Sequence, residues 1–319
     1  MNIQPRHRRD HVVHGGFLQG GVRGVSWRGC IESCDQRLPH LHLSAALEPN
    51  FSPRMRGSFF RHGRCLLLEN QFILRAIGSI AMCVEDSTMS ASTLSVPAHI
   101  TAACSCDQRS EQERNRDDGR KPDQVLTFFG VEPGMTVGET QAGGGYFSGL
   151  LSAAVGESGH VYAHNAPSSI ARRKGVNPID ERIKEYGLTN MTPLVGPVET
   201  PGFPDGLDAV FMIMTYHDAC YSDVDRAALN KTVFDNLKPG GTFGILDHAA
   251  RPGKGFDDAH ECHRIEKCAL IDEVTQYGFV VAGESDCLEN ESDTRDEIPF
   301  EKGLRDHTCR FVVKFNKPA

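Results

Sequence analysis

Residues 121–319 predict a doubly wound α/β domain, in which helices cover both faces of a mostly parallel sheet. From residue 121 onward, short apolar runs alternate with amphipathic stretches, as expected for strands joined by crossover helices. The run 208–214 (DAVFMIM) is apolar almost throughout, which is typical of a strand buried on both faces. Turn residues such as Pro133-Gly134 and Pro239-Gly240-Gly241 separate these segments.

The individual elements are predicted from the same pattern. Strands are expected at 135–139, 160–163, 191–195, 208–214, 242–247, 279–285 and 309–315. Helices are expected at 122–129, 146–155, 223–237 and 260–277, with part of another at 181–186. Pro122 suits the first turn of a helix, and Gly130 and Gly278 suit helix ends. The last strand alternates apolar with polar residues, which favours a position near the edge of the sheet.

The first 92 residues differ in composition from the rest. Residues 1–80 contain eleven arginines, five acidic residues and no lysine, although the whole chain has a formal net charge of −8. Because these arginines are scattered without a hydrophobic period, nucleic-acid binding is not expected, and residues 1–92 predict a disordered or non-native extension. Met82 and Met89 are then candidate start sites. Residues 93–120 are expected to form a polar, partly helical lead-in.

The sequence predicts neither a membrane span nor a metal site. It has no run of eighteen apolar residues. Its eleven cysteines include no C-x-x-C pair, so they predict free thiols in a reducing, cytoplasmic compartment. The H-E-C-H sequence at 260–263 spaces its histidines three apart, not the four of an H-E-x-x-H zinc site, so no metal is expected there.

A glycine-rich loop is the first feature that indicates chemistry. The sequence VGETQAGGGY at 137–146 connects a predicted strand to a predicted helix. Consecutive glycines allow backbone to approach a ligand closely, and the following helix directs its free amide groups toward the loop. The same loop could equally be a tight turn without a ligand.

A second turn makes the interpretation more specific. The sequence LKPGG at 237–241 separates a helix from the strand GILDHA. The two turns together resemble class I S-adenosylmethionine (SAM)-dependent methyltransferases over residues 121–317. The segments 133–135 (PGM), 143–146 (GGGY), 216–218 (YHD) and 263–266 (HRIE) are similar to a poorly characterised bacterial branch of predicted methyltransferases.

The resemblance implies a Rossmann-like sheet of seven strands in the order 3-2-1-4-5-7-6, with the last strand antiparallel, and SAM as cofactor. It assigns the cofactor to Glu139, Gln141, Gly143, Gly144, Gly145, Asn165 and Glu199. Two of these positions depart from the family pattern. Gln141 stands where the first glycine is usual, and Asn165 follows strand two where an acidic residue usually holds the ribose.

The acceptor side is expected at the carboxyl ends of strands four and five. There the chain has Tyr216, His217 and Asp218, and further on Asp247 and His248. His217 could act as a base oriented by Asp218 or Asp247, with Tyr216 packed against a ligand. We therefore predict Tyr216, His217, Asp218 and His248 as catalytic residues for transfer to a small-molecule acceptor.

His263 and Arg264 are predicted to contact the substrate, with a surface ion pair as the alternative role of Arg264. Two other functions remain open. Gln141 and the missing acid would suit a binding protein whose SAM site has degenerated. His217, His248 and His263 could together serve a metal-dependent hydrolase.

Overall fold

A computed structural model describes residues 95–301 and 303–319, together with two short strands, Gly20–Val22 and Val25–Trp27. The two short strands pair antiparallel within a separate unit, Met1–Ser92, whose remaining residues lie outside the described part. Apart from these two strands, the predicted disordered or non-native extension at 1–92, with the candidate starts Met82 and Met89, lies outside the described residues.

The second unit, Thr93–Ala319, contains a seven-stranded sheet. Its strands are β1 (Thr136–Thr140), β2 (His160–Asn165), β3 (Met191–Val195), β4 (Leu207–Ile213), β5 (Leu237–His248), β6 (Val280–Ser285) and β7 (Arg310–Asn316). The spatial order is β3-β2-β1-β4-β5-β7-β6. Strands β1 to β5 are parallel, and β7 runs antiparallel to both β5 and β6. The predicted fold class, including the order 3-2-1-4-5-7-6, is confirmed.

Helices cover both faces of this sheet. They are α1 (Ala98–Ser105), α2 (Glu111–Arg114), α3 (Asp117–Arg120), α4 (Pro122–Phe129), α5 (Tyr146–Val155), α6 (Pro167–Arg172), α7 (Pro178–Tyr186), α8 (Tyr216–Tyr221), α9 (Arg226–Asn236), α10 (Ala259–Cys262) and α11 (Lys267–Thr275). Within the described residues, no helix is long and apolar enough to cross a membrane.

Strand β4 shows why its sequence is apolar throughout. Phe211 and Ile213 pack into one hydrophobic cluster with α1, α4 and α5, whereas Val210 and Met212 pack into a second cluster with α9 and α11. Alternate residues of a strand point to opposite faces, so a strand with helices on both sides needs apolar side chains at every position. The carboxyl end of β4 therefore lies in the middle of the sheet, between the helices packed on its two faces.

Two segments differ from their predicted form. The turn at Pro239-Gly240-Gly241 does not precede β5 but bulges within it, because pairing shifts from Leu207–Leu237 to Ala209–Thr242. The predicted helix at 260–277 is broken between α10 and α11. At the break, Ile265 donates its backbone amide to His248 and accepts one from Ala250, which extends the parallel sheet for one residue. A backbone that bonds sideways to a strand cannot also continue the helical ladder.

Candidate active site

The glycine-rich turn between β1 and α5 is open on one side and packed on the other. Gln141, Gly143 and Gly145 all adopt positive φ, at 50°, 60° and 79°. A Cβ added at Gly144 would meet no atom within 4 Å, whereas one added at Gly145 would lie 2.9 Å from Ile179 Cδ1. Gly144 therefore leaves space for a ligand, and Gly145 allows α7 to approach.

The helix that follows this turn has no side-chain cap. Its N-cap residue is Gly145, which offers no polar side chain. Among the described residues, no acceptor takes the backbone amides of Tyr146 and Phe147. Unpaired amides at a helix start, together with the helix dipole, favour a polar or anionic group of a ligand.

Asn165 holds the turn in place from the end of β2. Its Oδ1 accepts the Gly143 amide at 2.8 Å, and its Nδ2 donates to the Gly143 carbonyl at 3.0 Å and to Asn177 Oδ1 at 3.2 Å. The side chain is buried, and it is not among the residues that line the cleft described below. Asn165 was predicted to contact the cofactor, whereas in the structure its side chain is hydrogen-bonded to the backbone of the glycine-rich turn.

A cleft of about 900 Å³ lies at the carboxyl ends of β1, β4 and β5. It is lined on one side by the open turn and on another by α2, α3 and their flanking residues. The predicted site residues on its wall are Glu139, Gln141, Gly143, Gly144, His217, Asp218 and His248. Its volume falls within the range of about 300–1,000 Å³ that is usual for small-molecule sites.

Glu139 is a buried carboxyl at the end of this cleft nearest β1. It is 3% exposed, and its Oε2 accepts a hydrogen bond from Ser148 Oγ on α5. Burial raises the pKa of Glu139 to about 7, although the Ser148 hydroxyl and the nearby Arg182 and Arg120 partly oppose this shift. The carboxyl therefore changes charge near neutral pH.

His217, which lines the cleft, forms a tightly bonded pair with the buried Asp247. His217 Nδ1 lies 2.6 Å from Asp247 Oδ1, and Asp247 also accepts the backbone amides of His217 and His248. Because a carboxylate only accepts, Nδ1 of His217 carries a hydrogen, and in the neutral ring Nε2 has a free lone pair. Burial alone would lower the pKa of His217, but Asp247 and Asp218 outweigh it and raise that pKa above 6.5.

His248 faces the same cleft as an uncharged ring. Its Nδ1 lies 2.7 Å from Thr308 Oγ1, and its ring centroid is 5.7 Å from that of His217. Burial and the neighbouring charges of His217 and Arg310 hold the pKa of His248 well below its ordinary value. It therefore offers a neutral hydrogen-bonding group to a ligand.

The broken helix brings His263 beside His217 and Asp218, although His263 does not itself line the cleft. His263 adopts φ 52°, a conformation that is rare for a residue with a side chain. Its ring centroid lies 5.3 Å from that of His217, and its Nδ1 lies 3.8 Å from Asp218 Oδ1. The unbroken helix predicted at 260–277 did not indicate that His263 would lie beside His217 and Asp218.

Besides Gly145, Asn165 and His263, three more predicted site residues do not line the cleft. Tyr216 is fully buried in the second cluster, and its hydroxyl accepts a hydrogen bond from Asn230 on α9. Arg264 is also fully buried and forms a bidentate ion pair with Asp293. Glu199 lies after β3 and does not line the cleft. The structure therefore places the side chains of Tyr216 and Arg264 inside the protein, and their predicted roles remain predictions.

A cluster of arginines on the lead-in helices was missed. Asp306 accepts Arg116 Nε at 2.8 Å and Arg120 Nε at 2.7 Å, and the Arg120 guanidinium lies 4.5 Å from the Tyr146 ring centroid. Burial opposes ionisation of Asp306, but the two arginines lower its pKa to about 2. The charge run at 107–120 indicated the arginines, but nothing local connects them to an acid 186 residues away.

Comparisons with family models and with curated proteins find no match. Solved structures do resemble the chain. They include a SAM-dependent methyltransferase from Aquifex aeolicus, with 22% identity, a TM-score of 0.48 and coverage of 64% of this chain and 93% of that one. An arsenic(III) S-adenosylmethionine methyltransferase from Chlamydomonas reinhardtii has 18% identity, a TM-score of 0.43 and coverage of 70% and 74%. Fibrillarin from Aeropyrum pernix, with natively bound S-adenosyl-L-methionine, has 12% identity, a TM-score of 0.40 and coverage of 60% and 73%.

Similarity at this level carries no inference about activity. The strand order, with its antiparallel β7, is observed directly. Residues 95–319 have the fold of class I SAM-dependent methyltransferases.

Proposed function

We propose that the chain is a SAM-dependent methyltransferase that acts on a small-molecule acceptor. The observation that carries the proposal is one cleft with two chemically different walls. One wall has the open glycine turn with unpaired amides, and the other has the His217–Asp247 pair. A ligand at a strand-to-helix turn and an acceptor beside it would then share a space at the ends of parallel strands, as open α/β sheets commonly provide.

The residues present fit the cofactor at the turn. The space above Gly144 is what a close backbone approach requires, and the amides of Tyr146 and Phe147 are free to bind polar atoms. Gln141 lines the cleft, and its side-chain Nε2 donates a hydrogen bond to the Thr215 carbonyl at 3.4 Å. We assign Glu139, Gln141, Gly143 and Gly144 to the cofactor, with Gly145 and Asn165 shaping the turn. Glu199, predicted from the family pattern, has no contact of this kind.

SAM supplies a methyl group that is already activated by its sulfonium, so the protein mainly aligns the acceptor and, where needed, removes its proton. Asp247 fixes His217 with the Nε2 lone pair available, and both His217 and His248 line the cleft. We assign His217, Asp218 and His248 to the acceptor. A lone pair held in this way can take up a proton or coordinate a cation.

Cofactor binding is expected to stabilise the purified full chain. A ligand that binds only the folded state adds about 2.7 kcal/mol when its concentration is 100 times its dissociation constant. For a unit of this size, that raises the melting temperature by roughly 5–10 °C. In Gly144→Leu, whose side chain would occupy the open space of the turn, S-adenosylhomocysteine and SAM should give no shift. Differential scanning fluorimetry measures the melting temperatures of the wild type and of Gly144→Leu with and without each ligand.

Ala102→Leu is the matched control, because Ala102 is an exposed residue of α1 that does not line the cleft. It should retain the full ligand-induced shift, and both variants should melt close to the wild type without ligand. A wild-type chain that neither compound stabilises would rule out the proposed cofactor.

Binding without turnover would instead favour the second function, a methyltransferase-like binding protein. Gln141 at the first glycine position and the engagement of Asn165 with Gly143 motivate that alternative. Incubation of the protein with SAM and a small-molecule extract separates the two. Formation of S-adenosylhomocysteine that depends on the extract supports transfer, and its absence despite binding supports the alternative.

A further inference from the structure

We propose that His217, Asp218 and His263 form a binding site for a single divalent transition metal ion. Ligand atoms from the three residues all lie within 4.8 Å of one another. His217 Nε2 is 3.4 Å and His263 Nδ1 is 3.8 Å from Asp218 Oδ1. Metal bonds of about 2.0–2.2 Å place tetrahedral ligand atoms roughly 3.4 Å apart, so these side chains need only small adjustments to coordinate one ion.

The orientation of His217 is what a metal ligand requires. Its Nδ1 donates to Asp247, which is fully buried and fixed by two further backbone amides. The Nε2 lone pair is thereby directed toward Asp218. A carboxylate behind the second ring nitrogen is the usual support of a metal-binding histidine, because it fixes both tautomer and ring orientation.

His263 provides an independent observation. Its Nδ1 is buried, and it has no hydrogen-bond partner within the described part of the chain. Buried polar atoms are nearly always paired, so an unpaired one needs an explanation. The residue is also held at φ 52° by the break between α10 and α11. A cation at the position shared with His217 and Asp218 would satisfy the unpaired nitrogen.

The site has the features of a reactive metal centre. Three protein ligands leave a fourth position open, and His217 and Asp218 both line the cleft. The Asp218 side chain is 37% exposed, so an ion can enter from solvent. Two imidazoles and one carboxylate suit ions such as Zn²⁺ or Fe²⁺.

The chemistry of that open position defines a ligand class. It would bind an acceptor through a hydroxyl or thiol, which loses its proton to solvent as the metal–oxygen or metal–sulfur bond forms. This assignment of the acceptor rests on the proposed methyl transfer, whereas the metal site does not. His248 is not a ligand in this arrangement, because the ligand atoms that lie within 4.8 Å of one another come from His217, Asp218 and His263. The site therefore differs from the three-histidine set that the sequence suggested.

Metal binding is tested with the full chain after treatment with EDTA, by calorimetric titration with Zn²⁺ in the absence of SAM. We expect one tight equivalent for the wild type. Asp218→Asn and His263→Asn should each lower the affinity at least about tenfold, since each removes a ligand. Asparagine is chosen at 263 because it tolerates positive φ. Asp247→Asn, which keeps all three ligands but alters the group that orients His217, should weaken binding about 10–100-fold.

His260→Asn is the matched control. His260 precedes His263 by three residues, is 70% exposed and contacts Glu261, so its loss should leave the affinity within about twofold of the wild type. Circular dichroism establishes that each variant is folded. Titration with Co²⁺ excludes cysteine as the binding group, because thiolate ligands would add a charge-transfer absorption band.

The proposal is overturned if the treated wild type binds no Zn²⁺, if folded Asp218→Asn and His263→Asn bind it as tightly as the wild type, or if the Co²⁺ spectrum shows thiolate ligands. Because no SAM is present in these titrations, failure of the metal site leaves the proposed cofactor unaffected. Failure of SAM to bind likewise leaves the metal result unchanged.

Discussion

Replacing Arg264 with methionine is expected to lower the free energy of unfolding by about 3–5 kcal/mol, the usual cost of breaking a buried ion pair. The Arg264 and Asp293 side chains are 0% and 1% exposed. Arg264 also donates to the carbonyls of Ala249 and Glu297. Methionine has a similar length, so the loss reflects the uncompensated Asp293 carboxylate and the unpaired carbonyls more than an empty cavity.

Urea denaturation measures this change, with Lys231→Met as the matched control. Lys231 and Asp235 form an ion pair whose side chains are 69% and 56% exposed, so that variant should stay within about 0.5 kcal/mol of the wild type. Adding Asp293→Asn to Arg264→Met removes the isolated charge and should recover part of the loss. An Arg264→Met variant with unchanged stability but weaker ligand binding would support the substrate contact that the sequence predicted for Arg264.

The sequence was sufficient for the elements whose signals are local. Strand and helix periods, Gly130 at a helix end and the glycine-rich turn lie within windows of a few residues, and α4, α5 and β3 have the predicted bounds. The wall formed by His217, Asp218 and His248 was also predictable, because the carboxyl ends of adjacent parallel strands meet at one edge.

The remaining features depend on partners that are distant in sequence. The 260–277 pattern is helical, but the helix breaks because Ile265 bonds to the strand end at His248 and Ala250. The sequence therefore did not predict that His263 would meet Asp218. Tyr216 and His217 are neighbours at the start of α8, yet one points into the core and the other into the cleft. Residue type alone cannot distinguish these directions.

Glu139→Gln is expected to remove a loss of stability that the wild type suffers as the pH rises from 4.5 to about 7. Burial raises the pKa of Glu139 from an ordinary value of 4.5 to about 7. Between these values the unfolded chain releases the proton while the folded chain retains it, so the folded state binds more protons and loses stability with rising pH. Each pH unit costs about 1.4 kcal/mol, which gives about 3 kcal/mol over the interval.

Urea denaturation at several pH values between 4.5 and 8 tests this expectation, and the quantity compared is the slope of stability against pH. A glutamine that bonds less strongly to Ser148 than the carboxyl does lowers the free energy of unfolding equally at every pH, and such a pH-independent effect does not change the slope. Below about pH 4.5 both folded and unfolded wild-type chains are protonated at this position, so the titration penalty is absent there. Glu157→Gln, a change at an exposed glutamate, should reproduce the wild-type slope. Parallel slopes for Glu139→Gln and the wild type would mean that the Glu139 carboxyl has the same pKa in the folded and unfolded chains, and the cleft would then carry a negative charge beside its glycine turn at neutral pH.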